Sequence, residues 1–170
     1  MRLKSFLIVM LFLLSTYSFA DFNAKVVHII DGDTIDVLVE NNKKLRIRLL
    51  GIDTPELKQY FGHESSSYLK KILNGKSVRI ISNPDKNKPY TLGYYKRIIG
   101  KVLLNGVDIN LEMIKKGMAW HFKKYKKNQP LDESRSYNEA ESKARKKNIG
   151  LWSEDNPLPP WKWRKLNRKR

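Results

Sequence analysis

The sequence predicts an α+β domain, mainly β, in which a five-stranded barrel carries three helices and follows a signal peptide. Several short segments alternate hydrophobic and polar residues, which is typical of half-buried strands. Turn residues separate these segments at nearly regular intervals, and three further segments have the end signals of helices. Short strands at regular spacing indicate a sandwich or a small barrel.

The first 20 residues have the pattern of a secretory signal peptide. A basic start at residues 1–4 precedes an apolar run at residues 6–14, and small residues come just before Asp21. The apolar run has nine residues, whereas a membrane-spanning helix needs about 20. We therefore expect cleavage after Ala20 and an exported protein, either periplasmic or extracellular.

Composition limits the possible functions. The chain has 170 residues, a formal net charge of +17 and no cysteine, so zinc–thiolate sites and cysteine catalysis are excluded. The mature chain would keep +15, because Arg2 and Lys4 leave with the signal peptide. So large an excess predicts a polyanionic partner, either nucleic acid or an anionic membrane surface. Nothing in the sequence indicates an obligate protein partner.

Three strands are predicted first in the mature chain. Hydrophobic and polar residues alternate in each of them, and turn residues lie between them. Asp33 falls on the inward-facing row of the second strand. The predicted ranges are 26–30, 34–40 and 45–49.

A helix at residues 62–73 then interrupts the strands, and Gly75 ends it. The fourth and fifth strands follow at 78–82 and 94–104, and the turn at 105–106 leads into a short returning segment. Five strands with a helix between the third and the fourth match the oligonucleotide/oligosaccharide-binding barrel, the OB-fold.

Two more helices are predicted after the barrel. The first covers 111–116 with Asn110 as its N-cap, and the second covers 134–147. The predicted domain spans 21–156.

The remaining segment, 157–170, combines three prolines with a basic end. This composition predicts a disordered tail. Binding of the tail to nucleic acid or to an anionic membrane surface stays open as an alternative.

Charged residues concentrate in the stretch RLLGIDTPE, residues 48–56. Asp33 and Asp53 could converge at one rim of a small barrel, where two carboxylates and a backbone carbonyl would suit calcium. The Arg48 guanidinium matches a phosphodiester, and the Glu56 carboxylate could orient or deprotonate water. Each aspartate alone would more simply be a turn residue, so the hypothesis depends on their combination with the arginine.

The motifs in this chain resemble those of the staphylococcal nuclease, or thermonuclease, family. They keep the family's order from about residue 25 to residue 156. They are Ile30-Asp31-Gly32-Asp33-Thr34, the stretch at 48–56, Tyr95-Lys96-Arg97, Gly117-Met118-Ala119-Trp120 and Gly150-Leu151-Trp152.

The resemblance implies an OB-fold nuclease that hydrolyses DNA and RNA with Ca²⁺, with little sequence specificity, and leaves 3′-phosphates. It assigns phosphate binding to Arg48 and Arg97 and the role of general base to Glu56. It further implies the calcium ligands Asp33, Asp53 and the Thr54 carbonyl, and the nucleotide-pocket tyrosines Tyr95 and Tyr125.

The chain departs from the family pattern before Arg97. It has Gly93-Tyr94-Tyr95-Lys96, where the staphylococcal type has an acid and, in place of Lys96, a glycine. Two alternatives stay open: a nucleic-acid-binding OB module without catalysis and, from the net charge and the basic tail, a cationic envelope-binding protein. A pure binding module would not need Glu56, an acid that repels phosphate.

Overall fold

Eight strands are present in this computed structural model, which describes residues 20–82, 97–124 and 129–168. Three of them have only two residues each. In chain order the strands are β1 (Ala20–Ile29), β2 (Thr34–Leu38), β3 (Lys44–Leu49), β4 (Ile52–Asp53), β5 (Ser77–Ser82), β6 (Ile98–Leu104), β7 (Val107–Asp108) and β8 (Trp120–His121).

Five of these strands close into a barrel. β1 is antiparallel to β2 through residues 25–29 and to β5 through residues 20–25. β3 pairs with β2 on one side and runs parallel to β6 on the other, and β6 pairs with β5. The predicted five-stranded barrel is confirmed. β1 is longer than predicted because its first half pairs with β5.

The alternating residues of the strands fill the barrel interior. The most deeply buried ones come from all five strands and are Val26, Ile35, Val37, Ile47, Leu49, Ile80, Ile98 and Val102. Residues between them, such as Arg46 and Arg79, are exposed. The period-two pattern therefore places one hydrophobic face of each strand in a common core.

The described residues contain four α-helices, one more than predicted: α1 (Gly62–Leu73), α2 (Ile109–Lys115), α3 (Leu131–Lys146) and α4 (Pro160–Asn167). Helix α1 has the predicted bounds. Helix α3 begins earlier than predicted, because the Pro130 carbonyl already accepts from the amide of Ser134. Among these helices none is long and apolar enough to cross a bilayer. Residues 1–19 of the predicted signal peptide lie outside the described residues.

The predicted N-cap of α2 is wrong. The cap is Asp108, whose carboxylate accepts from the Leu111 amide at 3.0 Å. The Asn110 side chain instead points inwards, where it accepts from the Val102 amide at 3.1 Å and donates to the Leu50 carbonyl at 2.9 Å. Fully buried polar groups need such partners, so Asn110 joins β6 to the turn after β3.

The prediction of disorder after residue 156 is also wrong for the described part of this segment. Residues 160–167 form α4, in which Pro160 occupies the first helical turn, a position that tolerates proline. The Trp161 ring contacts Phe122, with centroids 5.7 Å apart, and Trp120, with centroids 6.3 Å apart. The prolines therefore lead into a helix that packs on the domain.

Candidate active site

The barrel strands bring the predicted charged residues to one rim. Asp33 directly precedes β2, and its carbonyl accepts from the Leu49 amide at 2.9 Å. Arg48 lies on β3 opposite Thr34 of β2. Asp53 lies on β4, opposite Trp120 of β8. Residues far apart in sequence are thereby held by backbone pairing rather than by flexible loops.

A tight turn between β3 and β4 fixes the position of Asp53. Gly51 has a φ of 75°, a left-handed conformation that favours glycine. A Cβ at this position would also lie 2.6 Å from the Gln129 side chain. The Leu50 amide donates to the Gly100 carbonyl at 2.8 Å, and the Gly51 carbonyl accepts from Phe122 at 2.8 Å. The turn is therefore tied to β6 of the barrel on one side and to the residue after β8 on the other.

Arg48 connects the two aspartates. Its Nη2 lies 2.9 Å from Asp33 Oδ2 and 3.0 Å from Asp53 Oδ1. Its Nη1 donates to the backbone carbonyls of Leu49 and Ile52 at 3.1 and 3.0 Å. The guanidinium is held in one orientation, because both sides of its fork have partners.

Asp33 and Asp53 are both buried, with 6% and 1% exposure. Asp33 Oδ2 accepts from the amide and the hydroxyl of Thr54, each at 3.0 Å. Asp33 Oδ1 accepts from the Thr34 hydroxyl at 3.0 Å. These bonds fix the Asp33 carboxylate beside the first residues of the loop after β4.

The rim favours positive charge. Burial raises the pKa of Asp53, although the hydrogen bond from Arg164 acts in the opposite direction. Burial, and then the neighbouring charge of Asp33, raise the pKa of Asp31 to about 7. Carboxylates crowded in a poorly solvated place are stabilised by a cation.

The donor set fits a hard divalent cation. One Arg48 nitrogen reaches both buried carboxylates, so Asp33 and Asp53 are close neighbours. Asp33 Oδ1 and Asp53 Oδ2 each accept from one donor among the contacts named here, so each oxygen has a lone pair left for a cation. Carboxylate oxygens are the ligands that Ca²⁺ prefers. Within the described ranges no group of three or more Asp, Glu, His or Cys side chains could hold a metal. A cation at this rim would therefore need backbone oxygen and water as further ligands.

One open groove of about 1450 Å³ is lined by all the predicted catalytic and metal-binding residues, namely Asp33, Arg48, Asp53, Thr54, Glu56 and Arg97. Glu56 is partly exposed, and Arg97 lies immediately before β6. Lysines 123 and 124 also line the groove. The two predicted nucleotide-pocket residues, Tyr95 and Tyr125, lie outside the described residues.

Arg164 on α4 was missed by the sequence analysis. Its Nη2 donates to Asp53 Oδ2 at 2.7 Å, and its Nη1 donates to Asp53 Oδ1 at 3.2 Å and to Glu56 Oε1 at 2.6 Å. Burial would lower the pKa of Arg164, but these two carboxylates outweigh burial and raise it. Pro160 could have indicated the start of a helix, because proline is favoured in the first helical turn. The three prolines together instead suggested a disordered segment.

Comparisons with known proteins identify the family of this chain. The model of the staphylococcal nuclease homologue family matches residues 46–154. The chain belongs to this family. The match begins in β3 and includes the rim turn and helices α1 to α3, which confirms the family that the motifs resemble. Membership identifies the chain as a nuclease, a hydrolase that cleaves nucleic acid.

Bacterial relatives match over most of the chain. An "Uncharacterized endonuclease" of Haemophilus influenzae is 38% identical over 144 residues, which is 85% of this chain and 74% of the relative. A "Micrococcal nuclease" of Shigella flexneri is 38% identical over 160 residues, 92% of this chain and 88% of the relative. Another "Uncharacterized endonuclease", from Escherichia coli, is 36% identical over 146 residues, 85% and 86% of the two chains.

Proposed function

We propose that this nuclease is an exported, calcium-dependent endonuclease that hydrolyses DNA and RNA with little sequence specificity and leaves 3′-phosphates. The observation that carries the proposal is the convergence of two buried carboxylates, an oriented guanidinium and a partly exposed glutamate in one groove. The names of the relatives, which include an endonuclease and a micrococcal nuclease, support the same reaction.

Arg48 and Arg97 are the proposed phosphate-binding residues. Both line the groove, and a guanidinium can donate charge-assisted hydrogen bonds to the nonbridging oxygens of a phosphodiester. For Arg48 these bonds would come from Nη2 once Asp33 and Asp53 turn to the cation. These bonds become stronger as negative charge develops on the phosphorus oxygens during attack by water. The backbone bonds of Arg48 hold its guanidinium in place before the substrate arrives.

Glu56 is the proposed general base. Its carboxylate would take one proton from the attacking water while the water oxygen bonds to phosphorus. The bond between phosphorus and the 5′-oxygen then breaks, the 5′-oxygen takes a proton from solvent, and the phosphate stays on the 3′-side. Because the Glu56 side chain is 36% exposed, water and substrate can both reach it.

Asp33, Asp53 and the Thr54 carbonyl are the proposed calcium ligands. Bound calcium would neutralise charge on the phosphate and position water. A site with two carboxylates has few protein ligands, so we propose modest affinity, which suits a calcium-rich exterior. The signal-peptide pattern at residues 1–20 supports export.

The test is digestion of plasmid DNA and single-stranded RNA by residues 21–170, with calcium or with a chelator. We expect both substrates to be cut only with calcium, and Glu56→Gln to slow cutting by about 10²- to 10⁴-fold, the usual contribution of a general base. Glu64→Gln is the matched control, because Glu64 is exposed on α1 and does not line the groove.

Product ends test the direction of cleavage. Fragments with 3′-phosphates resist extension by a polymerase until a phosphatase removes the phosphate. DNA binding without cleavage by the wild-type protein would contradict the proposal, and so would equal rates for Glu56→Gln and Glu64→Gln.

A further inference from the structure

Helix α4 places a cation of the protein itself on the carboxylates of the groove. The Arg164 guanidinium donates to both carboxylate oxygens of Asp53, at 3.2 and 2.7 Å, and to one carboxylate oxygen of Glu56, at 2.6 Å. The proposed function assigns Asp53 to calcium and Glu56 to the attacking water. Arg164 therefore occupies the oxygens that both of these assignments require.

Arg164 and Arg48 differ in their hydrogen-bond partners and in their exposure. The Arg48 guanidinium donates to two backbone carbonyls as well as to carboxylates, and its side chain is 17% exposed. The Arg164 side chain is 41% exposed. In the described parts of the chain, its guanidinium bonds only to Asp53 and Glu56. Anything that takes those two carboxylates removes the guanidinium's partners.

The rest of α4 is attached mainly through its first turn. Pro160 is buried there. The Trp161 ring packs on Trp120 and Phe122, and the Leu158 carbonyl just before the helix accepts from the Gln59 side chain. Arg164 lies one turn further along the helix. Its side chain can therefore leave the rim while the start of the helix stays packed.

A guanidinium and a divalent cation compete for this rim. Both need the lone pairs of Asp53, and like charges a few ångströms apart repel strongly where water is scarce. Arg48 also touches Asp53, but it takes only one of the two oxygens. The carboxylate therefore has to exchange Arg164, rather than Arg48, to become a bidentate ligand.

We propose that Arg164 is an internal counter-cation that occupies Asp53 and Glu56 in the metal-free enzyme and leaves when a divalent cation binds. Helix α4 thereby sets the calcium affinity of the active site. The inference rests on the proposed calcium site, and it adds to that site a residue outside the segment matched by the family model.

Two consequences follow. Removing the Arg164 guanidinium should strengthen calcium binding, because calcium no longer displaces a competitor. By reciprocity, calcium should loosen the Arg164 end of α4 by the same coupling. For a half-exposed ion pair with bidentate geometry we expect an effect of about tenfold on the dissociation constant.

The experiment titrates calcium into wild type, Arg164→Gln and Lys165→Gln by calorimetry, without nucleic acid. Lys165→Gln is the matched control: it removes one positive charge from the same helix and the same groove. Within the described structure the ion pairs between α4 and the rim carboxylates are those of Arg164, not of Lys165. Hydrogen exchange of residues 160–168, with and without calcium, reports on the helix.

We expect Arg164→Gln to bind calcium about tenfold more tightly than wild type, and Lys165→Gln to stay close to wild type. Calcium should speed exchange at the end of α4 in wild type and have less effect in Arg164→Gln. Equal or weaker binding by Arg164→Gln, with wild type binding normally, overturns the inference alone. Absence of calcium binding in all three proteins overturns the proposed cofactor together with the inference.

Discussion

Two arginines reach Asp53 from different regions of the molecule. Arg48 comes from β3 in the barrel wall, five residues before Asp53, and Arg164 comes from α4, 111 residues after it. Backbone carbonyls hold the guanidinium of Arg48, whereas the described partners of the Arg164 guanidinium are the carboxylates themselves.

This difference separates permanent from exchangeable parts of the site. A guanidinium bonded to strand and turn carbonyls keeps its place when its carboxylate partners change. A guanidinium that lies on a partly exposed helix and bonds only to carboxylates keeps its position only while those carboxylates have no stronger partner. Two arginines with similar ion-pair distances can therefore have different roles.

The largest expected effect concerns Arg48. Arg48→Lys should slow DNA cleavage by about 10²-fold or more, because an ammonium cannot reproduce an oriented two-pronged donor in the transition state. Arg164→Lys, assayed at saturating calcium, should change the rate far less. Initial rates on plasmid DNA measure both. Similar losses for the two variants would break the distinction between them.

The next effect concerns stability. Asn110→Ala should lower the free energy of unfolding by about 2–3 kcal/mol, because it leaves buried backbone groups of β6 and of the turn before Asp53 without partners. Trp161→Ala should cost only about 1 kcal/mol, since it removes aromatic contacts at a partly exposed helix. Urea denaturation of metal-free protein compares them. A larger loss for Trp161→Ala would show that α4 is as integral to the fold as the barrel.

The smallest effect concerns salt. Raising the salt concentration from about 0.1 M to about 0.5 M shortens the screening distance and weakens exposed ion pairs more than buried ones. Without calcium, hydrogen exchange at the end of α4 should become several-fold faster, while exchange in β2 and β3 should change little. Unchanged exchange in α4 would mean that its packing, rather than Arg164, holds it in place.

Much of the barrel was predictable because its signals are local. Alternating residues in β2 and β3 settle which side chains enter the core, and glycine or asparagine turns settle where strands end. The bounds of α1 follow from helical spacing and from the Asn74-Gly75 stop. The stretch at 48–56 marks the rim through its residue types, because an arginine and two acids within nine residues suit a phosphate and a cation.

The predictions failed where the outcome depends on contacts with residues distant in sequence. Asn110 and Asp108 are both suitable N-caps by residue type. Asp108 is the cap of α2 because the Asn110 side chain instead accepts from the Val102 amide of β6. The segment after residue 156 has the composition of a disordered chain, but Trp161 finds aromatic partners on the domain.

The sequence by itself determined the alternation of the barrel strands, the turns between them, and the placement of Arg48, Asp53 and Glu56 within nine residues. Only the tertiary structure decided that Arg164 would join them. The reason is physical: turns and strand faces depend on neighbours a few residues away, whereas the contact between Arg164 and Asp53 exists because Trp161 packs on Trp120 and Phe122 and directs α4 over the groove.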